Sequence, residues 1–209
     1  MNEIRQTNET KPADGAMPPR PPKPDALLWL DIETTGLGPD AKILEVGMRC
    51  TSMDAGEDIA EGEWVVRPSE LSLYDLDTKT LAMHAGNGLL REVMCSDPDV
   101  TGPDAVNAAL EAFVGSLARE HTLHPAGSNV QRFDLPVLRR FLGYELDAVP
   151  DWMDIFLSYR ALDVTALRLT LMASGVNPYG DRPAKPHRVM DCIDEDVRFY
   201  RDYLAEYAA

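Results

Sequence analysis

The run Ala26-Leu27-Leu28-Trp29-Leu30-Asp31-Ile32-Glu33 constrains this chain more than any other stretch of it. A nearly continuous apolar segment of that length reads as a central strand, buried on both faces. Side chains at i and i+2 of a strand share a face, so Asp31 and Glu33 emerge side by side from its end. Two carboxylates so placed repel, and each disfavours ionisation of the other. A divalent cation would neutralise them, and Mg²⁺ or Mn²⁺ prefers such oxygen ligands. A strand end running into solvent accounts for one of these carboxylates better than for two on one face.

The text around this strand organises the rest. Residues 1 to about 25 are polar and rich in proline, with no apolar periodicity, and read as a disordered tail. Residues 26–209 then read as one domain, since 209 residues with 44% hydrophobic content support one good core. After a turn over residues 34–40, Ile43 to Cys50 reads as a second strand and Glu63 to Arg67 as a third, stopped by Pro68. The segment from Tyr74 to Val93 is mixed and helical in parts. Val106, Leu110, Phe113, Val114 and Leu117 recur at helical spacing over residues 104–119, with Thr101 or Asp104 as cap. His124 to Val130 reads as a short strand and loop, and Phe133 to Leu142 as a helix starting close to Pro136. Trp152 to Leu157 reads as a strand or a helical turn, and Thr165 to Gly175 as a helix ended by glycine. A Pro- and Gly-rich loop over 176–186 leads into a terminal helix from His187 to Tyr207. Strands followed by alternating helices predict an α/β domain.

Composition narrows the function classes. The net charge of −15 argues against a protein that coats long nucleic acid through a basic face. It is compatible with a short substrate met through cations held by acidic side chains. No apolar run approaches the roughly 20 residues needed to span a bilayer, and no apolar leader segment opens the chain, so no membrane association and a cytoplasmic location are expected. Cys50, Cys95 and Cys192 are widely spaced, which favours reduced thiols over a disulfide framework or a zinc site.

Two further segments carry candidate chemistry. Asp134 opens a helix, where a carboxylate is favoured by capping and by the helix dipole alone. His187 and Asp191 are four apart and share a face if both are helical. Histidine is the side chain best suited to take a proton near neutral pH. Glu45 could support a metal shell or serve as a structural carboxylate. Asp194, Glu195 and Asp196 read as a solvated acidic face.

Taken in order, Asp-x-Glu on the first buried strand, Phe-Asp opening a middle helix, and a histidine ahead of an acid on the last helix resemble the DEDDh 3′→5′ exonuclease superfamily. The resemblance implies a ribonuclease-H-like exonuclease fold, a mixed central sheet flanked by helices, with two Mg²⁺ or Mn²⁺ ions at the scissile phosphate. Carried over, Asp31, Glu33 and Asp134 are metal ligands and His187 is the general base. The superfamily's His-x-x-x-x-Asp spacing falls on Cys192, with an acid one residue earlier, so Asp191 is the expected fourth ligand and Asp194 an alternative.

The match narrows further. Trp29 to Leu37 looks like the opening of oligoribonucleases and of proofreading exonucleases. Met83-His84-Ala85-Gly86-Asn87-Gly88-Leu89 is similar to a Thr-His-x-x-Ser-Gly-Leu stretch of oligoribonucleases, and Tyr159-Arg160-Ala161-Leu162-Asp163-Val164-Thr165 to their Tyr-Arg-x-Leu-Asp-Val-Ser segment. Thr34 stands where that family usually has methionine, and Asn129-Val130 where it has Asn-Ser. The resemblance implies substrate contacts from Thr34, His84, Asn129, Tyr159 and Arg160. It also implies a homodimer, and short single-stranded RNA rather than DNA as substrate. Arginine makes bidentate bonds to phosphate, which suits Arg160 slightly better than the alternative of a surface or core-edge ion pair. A DNA-directed proofreading or repair exonuclease, and a nuclease fold kept as a binding module without catalysis, are the rival readings.

Overall fold

A computed structural model of the protein describes residues 22–143, 151–180 and 186–207. The tail expected over residues 1–25 lies outside the described residues up to position 21. The apolar run forms β1 (Asp25–Thr34), the centre of a five-stranded sheet. β2 (Ile43–Ser52) pairs with it antiparallel, and β3 (Asp58–Val65) continues the meander as an edge. On the other side β4 (Thr122–Gly127) and the two-residue β5 (Leu162–Asp163) run parallel to β1, giving the order β3-β2-β1-β4-β5. The sheet is therefore mixed, as expected. β3 begins five residues earlier than expected because its first half, Asp58-Ile59-Ala60-Glu61-Gly62, carries charge and glycine. Such residues are poor strand formers but suit a half-solvated edge.

Helices cover both faces. α1 (Thr78–Gly86) and α2 (Leu89–Cys95) divide the mixed segment and are separated by Gly88 at φ +87°. A short α3 (Pro98–Thr101) precedes α4 (Pro103–Ala118). Neither Thr101 nor Asp104 caps α4; Gly102 does, with Pro103 at the first helical position. α5 (Asp134–Phe141), α6 (Trp152–Phe156), α7 (Val164–Ala173) and α8 (Val189–Tyr207) complete the domain, so the ambiguous Trp152 segment is helical. Asp163 caps α7 by accepting the Thr165 N–H. Gly175, at φ +84°, ends it with Val176 N–H returning to the Leu171 carbonyl. Among the described residues no helix is long and apolar enough to cross a membrane.

β1 divides the core by parity. Ala26, Leu28, Leu30 and Ile32 face α4, α5 and α6, packing with Val106, Leu110, Val114 and Leu138. Leu27 and Trp29 face α7 and α8, packing with Val164, Leu171, Ile193 and Val197. Asp31 and Glu33 continue this second series and therefore point toward α8. That helix comes unusually close to the sheet. Gly47 pairs with Asp31, and a Cβ on Gly47 would lie 2.7 Å from the Val189 side chain. The missing side chain lets the first turn of α8 lie against the strand beside Asp31.

Candidate active site at the end of the central strand

The last residues of β1 are left open on one side because its pairing with β4 ends before the strand does. Pairing between these strands stops at Trp29 and Ala126. The Ile32 N–H beyond that point donates to the carboxylate of Asp134, the first residue of α5. Asp134 is thereby fixed against the backbone between Asp31 and Glu33. It is 3% exposed, and Glu33 is 8% exposed.

Burial pushes Asp134 up to about 8, and the charges of Asp196 and Asp163 add to this. Hydrogen bonds from its own N–H and that of Ile32 work the other way. The raised value has a signed consequence in the metal-free protein. An unfolded aspartate titrates near 3.9, so between about pH 4 and pH 8 the folded state holds a proton that the unfolded state has lost. Stability from this group is fully present below pH 4 and is lost as pH rises toward 8, at up to about 1.4 kcal/mol per pH unit. Asp134→Asn should abolish this slope, so in EDTA the variant should gain stability over the parent as pH rises from 5 to 8. Urea unfolding of both proteins across that range measures it, and parallel profiles would contradict it.

His187 comes within 4.8 Å of Glu33 from the segment ahead of α8. Its backbone is left-handed (φ +56°), so α8 begins at Val189 and not at His187 as expected from the sequence. Two clamps hold it there. Asn87, between α1 and α2, donates through Nδ2 to the carbonyls of Pro186 (2.9 Å) and His187 (2.7 Å). Arg188 forks onto Glu45, which is fully buried opposite Glu33 in the β1–β2 register, and also reaches Glu92 of α2. Glu45 also accepts the Val189 N–H at 3.2 Å, meeting the positive end of α8. The two uses considered for Glu45 thus resolve to an anchor for α8. Neither Asn87 nor Arg188 stood out in the sequence, because their partners lie about 100 or more residues away.

The helical phase of α8 corrects one assignment. Asp191 is exposed, while Cys192 is buried and turned inward. Adjacent helical residues point about 100° apart, so the inward position falls on the residue that the superfamily spacing selects. The Cys192 Sγ lies 3.9 Å from Glu33 Oε1, and ligand atoms of Glu33, His187 and Cys192 all lie within 4.8 Å of one another. Of the expected ligands only Glu33 is in that group; Asp31, Asp134 and Asp191 are not. Asp194 also faces outward and bonds Arg49 at 2.6 Å. Asp196 departs from the solvated face assigned to it. It is buried, accepting from Arg168 Nη2 (2.8 Å) and Ser128 Oγ (2.9 Å). A buried arginine from α7 is what makes that burial tolerable.

The expected substrate residues separate into two kinds. His84 is fully buried, with Nε2 3.0 Å from the Thr34 carbonyl and 3.9 Å from Glu33 Oε2. It braces the acidic strand end and presents no open surface. Burial also holds its pKa below the usual histidine range. Thr34 is buried too, and its hydroxyl closes the following turn on the Gly36 carbonyl at 2.6 Å. Asn129 (φ +58°), Tyr159 and Arg160 are exposed. Tyr159 is 84% exposed, with the Arg160 guanidinium 5.2 Å from its ring centre.

No protein-family model matches the chain. Among curated proteins it is 30% identical to the oligoribonuclease of Corynebacterium diphtheriae over 187 residues, covering 86% of this chain and 83% of that protein. It is likewise 30% identical to the oligoribonuclease of Alkalilimnicola ehrlichii over 186 residues, covering 87% and 89%. Among solved structures it resembles Escherichia coli exonuclease I bound to single-stranded DNA in a zinc-containing form. The TM-score is 0.62 at 16% identity, over 89% of this chain and 42% of that one. The complex of the same enzyme with a dT13 oligonucleotide gives 0.58 at 14% identity, over 88% and 42%. The chain therefore spans about two fifths of exonuclease I, and that likeness speaks to the fold. The sequence likeness, nearly end to end in the oligoribonucleases, goes further: this chain belongs to the oligoribonuclease family, within the DEDDh 3′→5′ exonuclease superfamily.

Proposed function

We propose that the protein is a metal-dependent 3′→5′ exonuclease that releases nucleoside 5′-monophosphates from short RNA oligonucleotides. The observation that carries this reading is Asp134, bonded to the backbone between Asp31 and Glu33, with a His187 ring nitrogen within 4.8 Å of a Glu33 oxygen. Membership of the oligoribonuclease family supports the substrate class.

Three of the expected ligands are of the donor type that a hard cation takes. Asp31, Glu33 and Asp134 are oxygen ligands suited to Mg²⁺ or Mn²⁺, and the buried, protonated Asp134 would exchange its proton for the cation. Cys192 does not fit such an ion. When bound, the ions would polarise the attacking water and stabilise the leaving 3′ oxygen. The side chains then have separate tasks. Asp31, Glu33 and Asp134 would hold the cations that meet the scissile phosphate. His187 takes the proton of the attacking water, and its place is set by Asn87 and the Arg188–Glu45 pair. Tyr159 and Arg160, exposed and stacked on each other, would receive the 5′ phosphate, within a homodimer as the resemblance implies.

The substrate assignment is tested by competition. Labelled RNA dimers to pentamers are mixed with 20-nucleotide RNA and single-stranded DNA, with Mn²⁺ present. The shortest RNAs should be degraded first by at least about tenfold in kcat/KM, a difference of about 1.4 kcal/mol in transition-state binding. Preference for the long DNA would instead move the function to proofreading or repair.

A further inference from the structure

The proposed Mg²⁺ or Mn²⁺ chemistry leaves the inward face of α8 unexplained. Where a hard cation needs oxygen, the chain places sulfur. Cys192 is buried, faces Glu33 at 3.9 Å, and shares a space under 4.8 Å across with a Glu33 oxygen and a His187 nitrogen. We propose that Glu33, His187 and Cys192 form a binding site for a zinc-class divalent ion, with the Cys192 sulfur as ligand.

The argument is one of donor type, spacing and rigidity. A thiolate, an imidazole and a carboxylate together suit Zn²⁺ or Co²⁺ and exclude Mg²⁺. Zinc bonds such ligands at about 2.0–2.3 Å, which sets them about 3.3–3.8 Å apart in a tetrahedron. The present separations, 3.9 Å for Cys192 to Glu33 and under 4.8 Å for the rest, need to close by at most about 1.5 Å to reach that arrangement. Three protein ligands leave a fourth direction for water or substrate. The ligands also sit on well-held elements. Glu33 stands at the end of the central strand and is braced by His84. Cys192 lies in the first turn of α8, which Glu45 pins through Arg188 and the Val189 N–H. His187 is tied by Asn87. Binding releases the Cys192 thiol proton to solvent, the usual exchange when a thiol becomes a metal ligand. The site shares Glu33 and His187 with the nuclease reading, and rests on it only for the consequence that such an ion competes with hydrolysis for those two side chains.

Co²⁺ titration of the metal-free protein tests this without any reference to activity. Sulfur bound to Co²⁺ gives a charge-transfer absorption in the near ultraviolet, which oxygen and nitrogen ligands do not. Cys95 is exposed, so the titration is done in a Cys95→Ser background. One equivalent of Co²⁺ should develop the band, Zn²⁺ should displace it, and Cys192→Ser should lack it while circular dichroism shows the fold kept. Cys192→Asp serves as the second variant, and should bind Zn²⁺ at least tenfold more weakly by equilibrium dialysis. A parent protein that gives no band, or a band undiminished in Cys192→Ser, would overturn the proposal. A separate Mn²⁺-supported nuclease assay on the parent reports the hydrolytic reading, so either claim can fail alone.

Discussion

Asp31→Ala should lower exonuclease activity by about 10³-fold or more while the protein stays folded. A metal-held phosphate depends on ligands whose loss costs several kcal/mol of transition-state stabilisation, and each 1.4 kcal/mol is about tenfold in rate. Asp31 is half-buried at the end of β1, on the face turned to α8, and pairs with Gly47 where no side chain can replace it. Removing it also takes one of two like charges off the same face of β1, so thermal stability without metal should hold or rise. Activity and Mn²⁺ binding by calorimetry, measured on the same preparations, check this. Activity within tenfold of the parent would remove Asp31 from the mechanism.

His187→Ala should separate chemistry from metal binding. If the imidazole takes the proton from water, its loss slows kcat by about 10²–10⁴-fold, while Mn²⁺ affinity, carried by the three carboxylates, changes little. The positive φ of His187 and the two hydrogen bonds from Asn87 hold it in one place. A parallel loss of Mn²⁺ affinity would make His187 a ligand to that ion and not its partner in proton transfer.

These expectations separate what was readable in the sequence from what was not. β1 was legible because an apolar run ending in two acids has few other places to be, and parity alone set Asp31 and Glu33 on one face. Asp134 was legible by its motif. Its raised pKa was not, since that follows from burial against a strand about 100 residues earlier. Asp191 is the acid nearest the fourth position in the sequence, but the phase of α8, set by Gly47, Glu45 and the left-handed His187, leaves it exposed and turns Cys192 inward. Asp196 was taken for a surface acid because its partner, Arg168, lies on another helix. His84 was read as a substrate residue from its motif, yet its burial beneath Glu33 makes it a brace. In each case the pattern along the chain was local, and the deciding contact was not.

The central claim is that Asp31, Glu33 and Asp134 support stepwise, metal-dependent removal of 3′ nucleotides. The most direct measurement is a time course on a 5′-labelled RNA pentamer with Mn²⁺, with EDTA, and with the 3′ end blocked. The account predicts a ladder shortening one nucleotide at a time from the 3′ end, abolished by EDTA and by the block. No cleavage with Mn²⁺, or cleavage that ignores the 3′ block, would contradict it.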